Sequence, residues 1–118
     1  MDKIVILMRK PPYGSVYTAE GFRTIMALAV FEMELNILFM EDGVFTLAKD
    51  QKPEGLDMKA LGEGFPMLAD MNVKKFYVHQ DSLKERGLTP DDLVMKVDLL
   101  DDAGVADVLK SAIKVLPF

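Results

Sequence analysis

Five apolar residues in unbroken succession, Ile4-Val5-Ile6-Leu7-Met8, run directly into Arg9-Lys10-Pro11-Pro12-Tyr13-Gly14. That junction constrains the fold more than any other feature. An apolar run without polar alternation reads as a strand covered on both faces. Two prolines and a glycine end it, because they cannot continue a hydrogen-bonded ladder. A strand covered on both faces needs one layer above it and one below.

The rest of the chain supplies further strands and the covering layers in alternation. Residues 15–34 read as a helix, with Phe22, Ile25, Met26, Ala29, Val30 and Met33 at three- and four-residue spacing. Leu28 and Phe31 lie off that stripe, so the helix is apolar over a wide arc and calls for a second element or a partner chain to cover it. Residues 36–40 read as a second strand, ended by Glu41-Asp42-Gly43, and 44–56 as an exposed loop. A helix is expected over 58–71, interrupted by Gly62 and Gly64 and restarting at Pro66. Residues 75–79 form a third strand, with Phe76 and Val78 on one face and Tyr77 on the other. A short helix over 81–86 is stopped by Gly87. Residues 94–97 and 113–116 read as the fourth and fifth strands, and Asp101 or Asp102 caps a helix carrying Val105, Val108 and Leu109.

Strands alternating with helices predict an α/β fold, a three-layer α/β/α sandwich around a mostly parallel five-stranded sheet. Ligands of such sheets sit beyond the carboxyl ends of the strands. The loops to watch are therefore 9–15, 41–46 and 79–82.

Composition narrows the function. The 14 basic and 19 acidic side chains leave a net charge of −5, so direct nucleic-acid binding through a basic face is not expected. There is no cysteine, which removes disulfides, thiolate metal sites, cysteine nucleophiles and any persulfide carried by these residues. No apolar stretch is long enough for a membrane span or a signal-peptide core, so no membrane association and a cytoplasmic location are expected.

Several motifs weigh less than they first promise. Gly62-Glu63-Gly64 has Met67 where a dinucleotide-binding turn needs its third glycine, and no strand directly precedes it. A phosphoacceptor receiver domain needs acids after the first strand and an aspartate ending the third, where this chain has Arg9-Lys10 and His79. Arg9, Lys10, Ser15 and Thr18 around a helix start offer an anion site, although a rigid turn with a capping hydroxyl explains them more simply. The pairs Asp91-Asp92 and Asp101-Asp102 are expected to cap helices rather than bind metal. Of the nine methionines, most fall at core spacing or in loops, where such side chains commonly fill irregular gaps. His79 is the only histidine; at a strand end it is more often structural than catalytic.

The order of several short blocks carries a resemblance. Pro12-Tyr13-Gly14, Glu20-Gly21, Asp42-Gly43-Val44-Phe45-Thr46-Leu47, Gln51-Lys52-Pro53, Asp81-Ser82-Leu83-Lys84-Glu85-Arg86-Gly87-Leu88 and Phe118 together resemble the DsrE/DsrF-like sulfur-relay family, nearest its TusC/DsrF branch. The resemblance runs over essentially the whole chain and implies one DsrE/DsrF-like domain across 1–118, flavodoxin-like in architecture. It implies a homo-oligomer, or a hetero-oligomer with cysteine-bearing DsrE/TusD-type subunits, passing sulfur for tRNA thiolation or sulfur metabolism. It implies a supporting, non-catalytic subunit without a cofactor. Many relatives carry a cysteine where this chain has His79, at the end of the third strand. A histidine cannot hold a persulfide. The vacated position is expected to leave a pocket among Pro12, Tyr13, Gly14, Asp42, Gly43, His79 and Gln80. The competing expectation is a small-ligand or nucleotide-binding module at the same strand ends.

Overall fold

The computed structural model describes residues 3–12, 16–31, 33–48, 64–71 and 73–118. Strand β1 (Lys3–Met8) is followed by helix α1 (Tyr17–Leu28), strand β2 (Glu34–Phe39) and two 3-10 helices, Glu41–Leu47 and Pro66–Asp70. Then come β3 (Val73–His79), α2 (Gln80–Glu85), a 3-10 turn Pro90–Asp92, β4 (Asp98–Leu100), α3 (Asp102–Ser111) and β5 (Lys114–Pro117).

The sheet order is β4-β3-β2-β1-β5, and every strand pair is parallel. Ile6 of β1 lies between Ile37 of β2 and Leu116 of β5. The chain steps from β1 to β4 in one direction and then returns across the sheet to β5. Right-handed crossovers place the outward connections on one face and the return on the other. The packing follows. Ile4, Ile6, Met8, Leu35, Ile37, Phe39, Phe76 and Val78 face the layer that holds Ile25 of α1, Val44 and Leu47, Leu68, and Leu83 of α2. Val5, Leu38 and Tyr77 face Val105, Val108 and Leu109 of α3. The expected three-layer sandwich is present, with its two covering layers unequal.

Four boundaries differ from the sequence expectation. Helix α1 ends at Leu28 rather than at 34. The apolar pattern continues through Ala29, Val30 and Met33, but Glu34 is already paired with Lys3 in the sheet. Val30 and Phe31 are left exposed. Of the loop expected over 44–56, residues 44–47 belong to a 3-10 helix, Glu41–Leu47, that buries Gly43, Val44, Thr46 and Leu47, and residues 49–56 lie outside the described residues. Of the helix expected over 58–71, the part at Pro66–Asp70 is 3-10, and residues 58–63 lie outside the described residues. The fourth strand is Asp98–Leu100 rather than 94–97, because the residues aligned with Tyr77, Val78 and His79 decide where β4 pairs.

Other local readings hold. Gly87 has φ +68 and open space around its missing side chain, so it closes α2 in the left-handed conformation that other residues adopt at a cost. Asp101 caps α3 by accepting from the Gly104 amide at 2.7 Å. At the other end of the sheet Glu34 sits below its ordinary carboxylate pKa, chiefly because the Asn36 side chain donates to it at 3.2 Å, with Lys3 adding a nearby positive charge.

Candidate functional site

The carboxyl ends of β2 and β3 and the start of α3 meet at His79. This residue ends β3, and the chain turns from it directly into α2, which places Ser82 one helical turn onward. The imidazole Nδ1 lies 2.6 Å from Ser82 Oγ, and Nε2 lies 2.7 Å from Asp102 Oδ1 at the first residue of α3. Ser82 Oγ also accepts from the Glu41 amide at 2.9 Å, tying the segment after β2 to the same chain of bonds. A carboxylate only accepts, so in its neutral form the ring carries its proton on Nε2 and accepts from the Ser82 hydroxyl at Nδ1.

Glu41, at the other end of this relay, has φ 53, a left-handed conformation unusual outside glycine. The Ser82 oxygen holds its amide in place. Two residues on, Gly43 donates to Met40 O at 3.0 Å and lies against the end of β1. A Cβ on Gly43 would stand 1.9 Å from Met8 O, so this position admits only glycine if the 41–47 segment is to reach β1. Asp42 accepts from Arg86 Nε at 3.0 Å, while Arg86 Nη1 donates to Ser82 O at 3.1 Å. Arg86 thus clamps the turn after β2 onto α2.

This geometry resembles a serine–histidine–acid set in composition but not in function. Ser82 is 2% exposed, and one of its lone pairs is engaged by the Glu41 amide. A hydrolytic nucleophile has to be reachable by substrate, and this hydroxyl is not. Ser82 holds the imidazole in place. Replacing Ser82 by alanine is expected to leave the Glu41 amide and His79 Nδ1 without their partner and to lower unfolding stability by about 1–3 kcal/mol. Urea denaturation of the two proteins measures that loss, and an unchanged midpoint contradicts the relay.

The expected site residues are only partly united. Asp42, Gly43, His79 and Gln80 gather at the strand ends. Pro12 is buried nearby in sequence to β1, and Tyr13 and Gly14 lie outside the described residues. Ser82, Arg86 and Asp102 join the site without having been expected there. The pair Asp101-Asp102 was expected to serve only as caps. Asp101 does so, whereas Asp102 turns to His79. Among the described residues, cavities of about 440 Å3 beside Pro90, Met95 and Val97 and of about 230 Å3 beside Lys74, Lys96 and Asp98 lie away from His79. Of the two hydroxyls in the anion reading of the first loop, Thr18 donates to Pro11 O at 3.0 Å, and Ser15 lies outside the described residues. Lys10 Nζ stands 5.9 Å from the Tyr17 ring centre.

The model of the DsrE/DsrF-like family matches residues 2–118. The chain belongs to that family. Among curated proteins, the intracellular sulfur oxidation protein DsrF of Allochromatium vinosum is 34% identical over 132 aligned residues, covering 100% of this chain and 97% of that protein. A TusC homolog of Pseudomonas aeruginosa is 32% identical, covering 92% of each. These place the chain in the TusC/DsrF branch of the DsrE/DsrF-like family. The YchN protein from E. coli has the same architecture, with a TM-score of 0.85 and 28% identity over 100% of both chains. A protein of unknown function from Methanobacterium thermoautotrophicum shares the fold at a TM-score of 0.62 and 18% identity. With no cysteine anywhere in its 118 residues, this DsrE/DsrF-like chain has no thiol on which to carry a persulfide. No helix among the described residues is long and apolar enough to cross a membrane.

Proposed function

We propose that the chain is a supporting, non-catalytic subunit of a sulfur-relay complex whose covalent carrier is a cysteine on a related DsrE/TusD-type subunit. One observation carries the reading. At the strand end where the family resemblance implies a sulfur-bearing cysteine, this chain has His79, with both ring nitrogens engaged by Ser82 and Asp102. The name of its DsrF relative, an intracellular sulfur oxidation protein, supports a role in sulfur metabolism. The exposed apolar residues Tyr17, Val30 and Phe31 on and after α1 supply surface for assembly.

The test is co-expression with a cysteine-bearing DsrE/TusD-type relative, followed by native mass spectrometry after exposure to a persulfide donor. The expected result is a mixed oligomer in which the partner gains sulfur and this chain does not. Failure to co-purify, with this chain alone as a monomer, overturns the subunit reading. The competing reading, a small-ligand or nucleotide module, rests on the convergence of Asp42, Gly43, His79 and Gln80. It predicts a reproducible small-molecule adduct in the same spectrum.

A further inference from the structure

We propose that His79, Asp81 and Asp102 form a binding site for one divalent metal ion of the zinc type. Each offers one ligand atom, and the three atoms lie within 4.8 Å of one another. They come from the end of β3, the first turn of α2 and the first residue of α3, three elements whose relative position the parallel β3–β4 pairing fixes.

The ring is already oriented for ligation. Histidines that bind metal through one nitrogen have the other held by an oxygen of the protein, which fixes tautomer and angle. Here Ser82 Oγ, itself anchored by the Glu41 amide, holds Nδ1 and leaves Nε2 against Asp102, with Asp81 in the same cluster. Binding requires the ring proton to move from Nε2 to Nδ1, where a Ser82 lone pair accepts it. The Nε2–Asp102 separation then opens from 2.7 Å to roughly 3.3 Å, the spacing of tetrahedral ligands on zinc.

Neither carboxylate is committed to its helix. The capping of α3 is done by Asp101, which frees Asp102. The Asp81 carboxylate has no hydrogen bond or ion pair among the described residues. Two carboxylates and a neutral imidazole balance a doubly charged cation. The imidazole favours zinc-type ions over calcium and magnesium, which take oxygen ligands. The Asp102 side chain is 83% exposed, so a fourth position faces solvent and is open to water. The site does not depend on the sulfur-relay reading.

Titration of the purified full chain with zinc chloride, by calorimetry and by 15N NMR of its single imidazole, tests the assignment. The expected result is one ion per chain, a displaced Nε2 resonance, and an Nδ1 resonance of the protonated tautomer. Affinity should fall as pH is lowered, because protons compete for the ring. Asp81→Asn, which has no partner to lose, is expected to fold normally and to bind at least about tenfold more weakly. Imidazole resonances unchanged at saturating zinc overturn the proposal, as does equal affinity of the wild-type and Asp81→Asn proteins.

Discussion

Gly43→Ala is expected to abolish the folded state or to lower its stability by roughly 4 kcal/mol or more. The added methyl group would lie 1.9 Å from Met8 O and 3.1 Å from Arg9 N, backbone atoms at and just past the end of β1, which is paired with β2 on one side and β5 on the other. A side chain in such a position can rotate away, but a strand paired on both edges cannot. The 41–47 segment would have to lift off β1. That would expose Val44 and Leu47, which are fully buried, and pull the Glu41 amide from Ser82. The circular-dichroism melt of Gly43→Ala decides the matter. A transition within a few degrees of wild type would mean that the close approach is not required. The Gly87→Ala protein makes a useful contrast, because there nothing lies within 4 Å and only the left-handed backbone opposes the change.

That prediction falls on a residue whose importance was visible in the sequence for a different reason. Gly43 stood out as part of an Asp-Gly turn at a strand end, and Asp-Gly reads as a stop signal followed by open loop. The sequence does not reveal that the following residues fold back as a tight helix, because Val44 and Leu47 are too few to set a period. The central strands were legible since their apolar runs are buried on both faces and need no context. The edge strand β4 was not. Val94 and Val97 have the composition of a strand, but pairing with Tyr77, Val78 and His79 selects Asp98–Leu100. His79 and Asp42 were legible as strand-end polar residues. Their partners Ser82, Arg86 and Asp102 were not, because they become neighbours only when α2 and α3 return to the same end of the sheet. The one available signal was positional, an acid at the start of the last helix and a serine three residues beyond the histidine.

Phe65→Ala should produce the other large loss, about 3–5 kcal/mol. Phe65 is fully buried, and its ring meets Phe22 of α1 at 5.1 Å and Phe39 of β2 at 5.4 Å, both edge-on with interplanar angles of 73°. Truncation removes its own transfer free energy, leaves a cavity between helix and sheet, and deletes two ring–ring contacts worth about 0.5–1.5 kcal/mol each. For a chain whose whole stability is on the order of 5–15 kcal/mol, that is a substantial fraction. Guanidinium denaturation of Phe65→Ala and Phe65→Leu separates the contributions, since leucine restores part of the volume but neither ring contact. If the two variants melt alike near wild type, the aromatic cluster does not hold α1 to the sheet.

The two outer strands of the sheet are short. β4 has three residues, and β5 has four and ends in Pro117. A proline has no amide to offer a newcomer, and three residues give an incoming strand too few bonds to offset the entropy of ordering it. The open margins of this sheet are therefore blunted against edge-to-edge polymerisation. Among the described residues, the sheet offers a second copy little edge on which to extend its ladder.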